Sequence, residues 1–302
     1  MLQILLGAVS LGLLWAVMTI GVYISYRILN IADLTVEGSI VMGGAIAAKA
    51  ITSGVNPYIA VLLAIFGGMA AGLVTGLLHT KLKIPALLSG ILTMIALYSI
   101  NLRIMGKANI SLLKIDTVYT VFTDMGLNDV YAVIALGVIC VLALICVLYW
   151  FFGTEIGCAI RATGNNPQMV RAQGVNTDTT IIIGLVISNG LVAMSGALIA
   201  QSQRFADVQM GIGSIVIGLA SVIIGEVLFG KYQFFKRLIS LALGAITYRV
   251  IIAFVMKLGM PANDLKLFTA ITVAIALSVP MLESRLKLFS RIRKGADKIV
   301  GD

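Results

Sequence analysis

GCAIRATGNNPQMVRAQGVN, residues 157–176, is a polar stretch between two long apolar runs at 130–152 and 181–201. Each run is long enough to cross the hydrocarbon core of a bilayer as one helix, which takes about 20 apolar residues. The polar stretch is therefore predicted to be a loop on one side of a membrane, joining two transmembrane helices.

The same alternation of apolar runs and short polar segments extends along the whole chain. Of its 302 residues, 60% are hydrophobic and 12% are charged, whereas a soluble domain is about half apolar and about a quarter charged. A water-soluble core could not bury this much apolar surface, so we predict an all-α, polytopic protein of the cell membrane. About nine spans (eight to ten) are expected, at residues 4–25, 37–52, 57–78, 85–103, 130–152, 181–201, 212–230, 239–256 and 267–283.

The positive charges predict how these spans are oriented. The net charge is +9, and the basic residues are concentrated in short loops and in the C-terminal tail at 284–302 rather than in a patch that would bind nucleic acid. With nine spans, the basic segments at 81–83, 157–176, 231–237 and 284–302 all fall on one side. Cytoplasmic loops are enriched in lysine and arginine, so this side is predicted to be cytoplasmic, with the N-terminus outside.

Within the polar stretch, residues 166–173 are predicted to form a short helix. Asn166 can cap a helix, Pro167 suits its first position, and Gly174 is a natural C-terminal stop. A helix of less than two turns is not stable alone in water. We therefore expect it to be held by the adjoining spans and by a partner, to which it would offer a small apolar surface and the charged heads of Arg161 and Arg171.

These residues resemble the cytoplasmic coupling loop of permease subunits from binding-protein-dependent ABC importers, in the family that contains branched-chain amino acid and ribose permeases. The matching features are Arg161-Ala162, the Gly-Asn-x-Pro turn at 164–167 and the closing Gly-Val-Asn at 174–176. NIADLTVEGSIVMGGAIAA, residues 30–48, resembles the family's early broken-helix segment. ADVQMGIGSIVIGLASVIIGEVLFG, residues 206–230, resembles its later glycine-rich segment. The similarity extends over nearly the whole chain and suggests the aromatic amino acid (tryptophan/tyrosine-type) group.

The resemblance implies a single permease domain, residues 1–302, with a coupling loop at 153–180 that docks on a cytoplasmic ABC ATPase. The chain itself would bind no cofactor, and ATP and magnesium would lie on the ATPase. A second permease subunit, expected to form a homodimer, and an extracellular or periplasmic solute-binding protein would complete the transporter. The residues implied in coupling are Arg161, Gly164, Asn166, Pro167, Met169, Arg171, Gly174 and Asn176.

An internal similarity points to a translocation pathway. Ala-Asp-Leu at 32–34 followed by Gly-Ser at 38–39 recurs as Ala-Asp-Val at 206–208 followed by Gly-Ser at 213–214. In the predicted topology the first copy enters from inside and the second from outside. Such an inverted pair, whose first member is expected to begin part-way into the bilayer as a broken helix, often flanks a transporter's pathway.

Charged and polar residues within the predicted spans are candidates for the pathway, because they are costly in lipid. Arg249 lies about ten residues, roughly 15 Å, into the span that begins near residue 239. It is expected to face away from lipid and to have an acidic or carbonyl partner, first Glu37 and second Glu226, and such a pair could be purely structural. The pathway candidates are Asp33, Glu37, Asn189, Asp207 and Arg249.

Three classes of function are compatible with a polytopic protein. The coupling loop favours an ABC importer permease, moving an amino acid or, as alternatives, a sugar or nucleoside. An ion-coupled secondary transporter could also contain inverted repeats and buried charges, but it needs no ATPase-docking helix. A membrane-embedded enzyme is disfavoured because no nucleophile–base pair, paired carboxylates or metal-ligand cluster is evident in the sequence.

Overall fold

The computed structural model describes residues 2–230 and 233–257, with five isolated helical positions at 267, 270, 271, 274 and 278. Its elements, in chain order, are α1 Leu2–Tyr23 with a π-helical extension Ile24–Ile28, α2 Thr35–Thr52, α3 Pro57–Thr80, α4 Ala86–Met105, β1 Asn109–Ser111, α5 Thr120–Asp124, α6 Asp129–Gly153, α7 Glu155–Asn165, α8 Pro167–Ala172, α9 Thr177–Gln203, β2 Phe205–Asp207, α10 Ser214–Phe229 and α11 Phe234–Lys257.

The predicted all-α, polytopic architecture is confirmed. Within the described residues six helices are long and apolar enough to cross a membrane, namely α1 with its extension, α3, α4, α6, α9 and α11. The shorter helices α2 and α10 correspond to the predicted spans at 37–52 and 212–230. The first eight predicted spans thus each match a helix, whereas most of the ninth, at 267–283, and the whole tail at 284–302 lie outside the described residues.

Helix α9 is the centre of the bundle, packing against α1, α2 and α3. Small residues permit this close packing. A Cβ on Gly43 of α2 would overlap the Ala193 carbonyl, and one on Gly72 of α3 would overlap that of Leu185. Close backbone approach of this kind is the usual way in which helices associate in lipid, where no hydrophobic force drives them together.

The chain between α1 and α2 turns back inside the bundle. The Oδ1 atom of Asp33 accepts a hydrogen bond from the N–H of Thr35 at 2.9 Å, which caps the start of α2. Oδ2 of the same carboxylate accepts from the side chain of Asn189, near the middle of α9, at 2.7 Å. Helix α2 therefore starts at mid-depth of the bundle, as expected for a broken helix that begins part-way into the bilayer.

The basic segments of the described chain lie at one end of the bundle, here called the coupling end. The Nζ atom of Lys83 is 3.5 Å from the Asp178 carboxylate, which joins the 81–83 loop to the start of α9. Arg161 of α7 lies over the Phe234 ring of α11, with 5.4 Å between the guanidinium carbon and the ring centroid. The placement of these segments on a common side is thus confirmed for the described residues, with residues 231 and 232 outside them.

The opposite end contains a small sheet that the helix-only prediction missed. Strand β1 pairs antiparallel with β2, with Ile110 opposite Ala206. Both strands are only three residues long, too short to show an alternating pattern in sequence. They pair because the loops after α4 and α9 reach the same end of the bundle.

Candidate coupling loop and translocation cleft

Helix α8 begins and ends as the sequence predicts. The Asn166 side-chain oxygen accepts a hydrogen bond from the Met169 N–H at 3.0 Å, and Pro167 occupies the first turn. Gly174 has a φ of +84°, and its N–H donates to the carbonyl of Arg171 at 2.9 Å. The predicted N-cap and glycine stop are both confirmed.

A second helix, α7, precedes α8 and was missed in the sequence, where residues 157–165 were interpreted as loop. The Thr154 hydroxyl caps it by accepting a hydrogen bond from the Gly157 N–H at 3.3 Å. Its buried residues are Gly157, Ile160 and Thr163, spaced three apart as one face of a helix requires. That spacing, together with Thr154 at the start, was the available signal.

Gly164 fastens α7 to the bundle. It lies within the helix, and a Cβ there would overlap the carbonyl oxygen of Ile28 at the end of α1. The hydroxyl of the preceding residue, Thr163, is 2.9 Å from that of Thr180, which joins α7 to α9. The glycine is therefore needed for close approach between backbones.

The two arginines of the loop are used internally. In addition to its contact with Phe234, Arg161 donates through Nη1 to the carbonyl of Phe152 at 3.5 Å. The Nε atom of Arg171 donates to the Thr177 hydroxyl, and its Nη2 is 3.5 Å from the Asp178 carboxylate. Both side chains brace α7 and α8 against neighbouring helices, and both remain exposed at the surface.

Asn176 also has a structural role, because its side-chain oxygen caps α9 by accepting from the Asp178 N–H at 2.9 Å. Val170 is the buried anchor of α8. The other residues around α8 are exposed, and Met169 is 47% exposed. We call this exposed face the docking surface; it consists of Pro167, Gln168, Met169, Arg171, Ala172 and Gln173.

Two of the pathway candidates meet in a buried polar cluster. Besides its bond to Asp33, Asn189 accepts through Oδ1 from the Ser39 hydroxyl at 2.7 Å. Asp33 is 2% exposed and Asn189 and Ser39 are fully buried. These side chains join α2 to α9 and satisfy one another. They do not line the cleft described next.

The cleft lies between α2, α4 and the segment that leads into α10, and has a volume of about 340 Å³. Glu37 is the single carboxylate among its described lining residues, and its Oε1 accepts a hydrogen bond from the Gly213 N–H at 3.0 Å. The other lining residues are predominantly apolar, with Ser99 and Asn101 as further polar groups: Gly38, Val41, Met94, Ile95, Tyr98, Ser99, Asn101, Val208, Gly211 and Ile212.

Sequence reasoning identified Glu37 but missed the contribution of α4 to this cleft. Asn101 donates through Nδ2 to the Gly38 carbonyl at 3.1 Å. Its buried Oδ1 has no hydrogen-bond partner among the described residues. An asparagine in an otherwise apolar span, three residues after Tyr98 and therefore on the same helix face, was the signal that could have pointed there.

The predicted pairing of Arg249 with Glu37 or Glu226 is wrong. Glu37 bonds to Gly213, as above, and Glu226 is held by Arg27, whose Nη2 and Nε atoms lie 2.7 and 3.1 Å from its two oxygens. Arg249 instead stacks on Trp15 of α1. The π-helical extension brings Arg27 to the end of the bundle where Glu226 lies, while Arg249 is deeper in α11.

Asp207 lies at the opposite end of the bundle, in β2, and is not in the cleft, although the next residue, Val208, lines it. Its Oδ1 accepts from the N–H of Gln209 at 2.6 Å, the same two-residue turn that Asp33 makes with Thr35. Each aspartate precedes one of the two short helices, α2 or α10. This shared local geometry supports the proposed internal repeat.

Together, a bundle of apolar helices, a broken helix and a capped helix pair at the basic end define a transporter membrane subunit. The fold agrees with that of a chain in PsaBC from Streptococcus pneumoniae in complex with Fab, at a TM-score of 0.50 and 15% identity, covering 91% of this chain and 90% of that one. The family model for the permease component of branched-chain amino acid transport systems matches residues 4–277. The chain belongs to this family, and it is an ABC importer permease subunit.

Relatives in sequence agree with this assignment. The tyrosine transport system permease protein of Clostridioides difficile is 43% identical over 283 residues, covering 94% of this chain and 93% of the relative. An uncharacterised protein of Rickettsia prowazekii is 33% identical over 282 residues, covering 92% and 98%. The alignments thus extend over nearly the whole chain, as the sequence resemblance implied.

Proposed function

We propose that this subunit moves an amino acid into the cell, that ATP is hydrolysed by a separate ABC ATPase, and that α8 is the element on which the ATPase acts. The observation that carries the proposal is the docking surface. The capping residues of α8 and its arginine form hydrogen bonds within the chain, yet Met169 is left exposed. An exposed apolar side chain on a braced helix is suited to insertion into a groove of a partner.

The contacts of α7 and α8 supply a route from this surface to the membrane helices. Gly164 abuts the end of α1, and Thr163 and Arg171 bond to the first residues of α9. A displacement of α8 would therefore be passed to α1 and α9 as a rigid-body motion. Such a route needs two arrangements of packed elements and no chemistry in this chain. Magnesium and ATP would be bound by the ATPase.

The cleft supports an amino acid as the solute. Its carboxylate, Glu37, could accept the solute's ammonium group, and its apolar wall, including Met94, Ile95 and Tyr98, could accommodate a hydrophobic side chain. The name of the C. difficile relative is in accord with an aromatic amino acid. A sugar or a nucleoside would require more hydrogen-bonding groups than this mostly apolar wall offers.

A second permease subunit would complete the pathway. On α4, Ile95 and Tyr98 are 60% and 55% exposed, and the cleft is open along that helix. A second copy of this chain, packed on α4, would convert the open cleft into an enclosed passage. An extracellular or periplasmic binding protein would deliver the solute to it.

The test is reconstitution of the chain in liposomes with an ABC ATPase and a solute-binding protein from the same organism. We expect ATP-dependent uptake of tyrosine, tryptophan or phenylalanine, and no uptake of ribose or nucleosides. Uptake of ribose or a nucleoside alone would overturn the choice of solute. Uptake driven by an ion gradient without ATPase would overturn the importer mechanism in favour of a secondary transporter.

A further inference from the structure

A second pocket, unrelated to the cleft, lies at the coupling end between the end of α1, α7 and the start of α11. It has a volume of about 280 Å³ and is lined by Tyr23, Arg27, Arg161, Asn165, Phe234 and Arg237. Three arginines from three separate elements thus converge on one small space. This arrangement arises only from the tertiary fold, because the residues are far apart in sequence.

The arginines are not fully neutralised by the described residues. Arg27 is paired with Glu226 at 2.7 Å, and that carboxylate is the only acidic group ion-paired with any of the three in the described chain. Arg161 stacks on Phe234. Arg237 donates through Nη1 to the Tyr23 hydroxyl at 3.4 Å, and its buried Nε atom has no hydrogen-bond partner among the described residues. Three cations against one anion leave a positive pocket with an unused donor, which favours an anion.

An aromatic groove adjoins this pocket and shares Arg161 and Phe234 with it. The groove has a volume of about 640 Å³ and is also lined by Tyr149, Trp150 and Phe235. Trp150 is 71% exposed, at the end of a predicted span. Exposed Trp and Tyr side chains at span ends lie at the level of lipid headgroups. The basic pocket therefore opens towards the membrane interface.

We propose that this pocket and groove bind an anionic phospholipid, with its phosphate on Arg161 and Arg237 and its glycerol and upper acyl chains against Trp150 and Phe235. The planar guanidinium group matches phosphate with paired N–H donors. Basic pockets between transmembrane helices at the cytoplasmic side are suited to acidic headgroups. Because the pocket is lined by the end of α1, by α7 and by α11, an occupied site would also hold α7, which contacts α8, in place.

The test uses the full-length chain, purified in detergent and delipidated. Phosphatidylglycerol is titrated in and followed by its effect on the melting temperature and by the number of lipids retained in native mass spectrometry. Phosphatidylcholine, whose zwitterionic headgroup has a phosphate but no net charge, serves as the comparison. We expect saturable stabilisation by phosphatidylglycerol alone, and about a tenfold loss of apparent affinity in R237Q and in R161Q, since one charge-assisted contact is removed in each. R237K should retain more affinity than R237Q, and K81Q, which removes an exposed charge at the same end, should bind as the wild type does.

Further measurements distinguish a lipid phosphate from a free phosphate, and lipid binding from binding of the ATPase. Inorganic phosphate and glycerol 3-phosphate should bind more weakly than the lipid, and W150A should weaken lipid binding without affecting either small anion. Equal binding of inorganic phosphate and lipid, with no effect of W150A, would overturn the lipid in favour of a free anion. Retention of phosphatidylglycerol that is equal in wild type, R161Q, R237Q and K81Q would overturn the site. Loss of ATPase co-purification by R237Q with unchanged lipid retention would instead assign the pocket to the ATPase.

Discussion

Arg249 of α11 lies over the indole ring of Trp15 of α1, with its guanidinium carbon 4.1 Å from the ring centroid. No acidic side chain forms an ion pair with it in the described part of the chain. A desolvated cation–π contact contributes about 2 kcal/mol or more, so this contact replaces the acidic partner that a buried arginine would ordinarily require.

This pairing predicts a coupling that a double-mutant cycle can measure. We expect Trp15→Leu and Arg249→Leu to be non-additive by about 2 kcal/mol in the unfolding free energy, and Trp15→Phe to cost less than Trp15→Leu. Reversible unfolding in detergent, followed by tryptophan-independent circular dichroism, would provide the values. The control cycle joins Arg249→Leu with Glu226→Gln, for which additivity is expected. Strong coupling with Glu226 and none with Trp15 would contradict the arrangement.

Replacing Met169 by glutamate should uncouple the transporter without unfolding the permease. The side chain is exposed, so the unfolding free energy should change by no more than about half a kcal/mol. A charge buried in a partner's groove should lower ATPase affinity by about thirtyfold, which corresponds to about 2 kcal/mol. Co-purification of the ATPase and solute-stimulated ATP hydrolysis measure this loss. Met125→Glu, an exposed methionine near the opposite end, is the matched control, and equal effects of the two variants would reject the docking role.

The two loop glycines should fail for different reasons when replaced by alanine. In Gly164→Ala the new methyl group would overlap the Ile28 carbonyl, and overpacking of this kind costs about 1–3 kcal/mol. Gly174 has open space but a φ of +84°, so Gly174→Ala should cost about 1 kcal/mol through backbone strain alone. Melting temperatures of the purified variants would rank them. Gly153→Ala, which has open space and no positive φ, should match the wild type, and a Gly164 variant as stable as that control would be inconsistent with the close packing.

Glu37→Gln should impair uptake while leaving the fold intact. Glutamine keeps an oxygen that can accept from the Gly213 N–H, but it removes the negative charge that would meet an ammonium group. We expect about a tenfold or greater fall in amino acid uptake, with unchanged affinity of the solute for the binding protein. Uptake in proteoliposomes and the melting temperature of the permease are the two readouts. Asp207→Asn serves as the comparison outside the cleft, and wild-type uptake by Glu37→Gln would remove the carboxylate from the pathway.

The orientation predicts which engineered cysteines an impermeant reagent reaches in intact cells. The native Cys140, Cys146 and Cys158 would first be replaced by serine, since the latter two are exposed. Met125→Cys, at the outer end, should be labelled without permeabilisation, whereas Asn166→Cys in the coupling loop should require it. Labelling of Asn166→Cys from outside would reverse the assignment of the coupling end.

The features of this protein that could be predicted from the sequence are those that depend on local chemistry. The spans follow from runs of apolar residues, because a helix in lipid satisfies its backbone hydrogen bonds internally and so needs only an apolar segment of sufficient length. The limits of α8 follow from Asn166, Pro167 and Gly174, because a cap bonds only within a few residues of itself. The placement of the basic loops at one end follows from their order along the chain. Each of these features depends on neighbours in sequence and needs no knowledge of packing.

Only the tertiary structure decided which buried polar groups meet. Glu226 could have paired with either Arg27 or Arg249, and the π-helical extension of α1 selected Arg27. Packing of α2 against α9 brought the pathway candidates Asn189 and Asp33 into a buried hydrogen-bonded pair outside the cleft, while Asn101 of α4 came to line the cleft. The depth and rotation of each helix determine such pairings, because a buried polar group bonds to the partner that packing brings within hydrogen-bonding distance. The order of residues along the chain does not specify that distance.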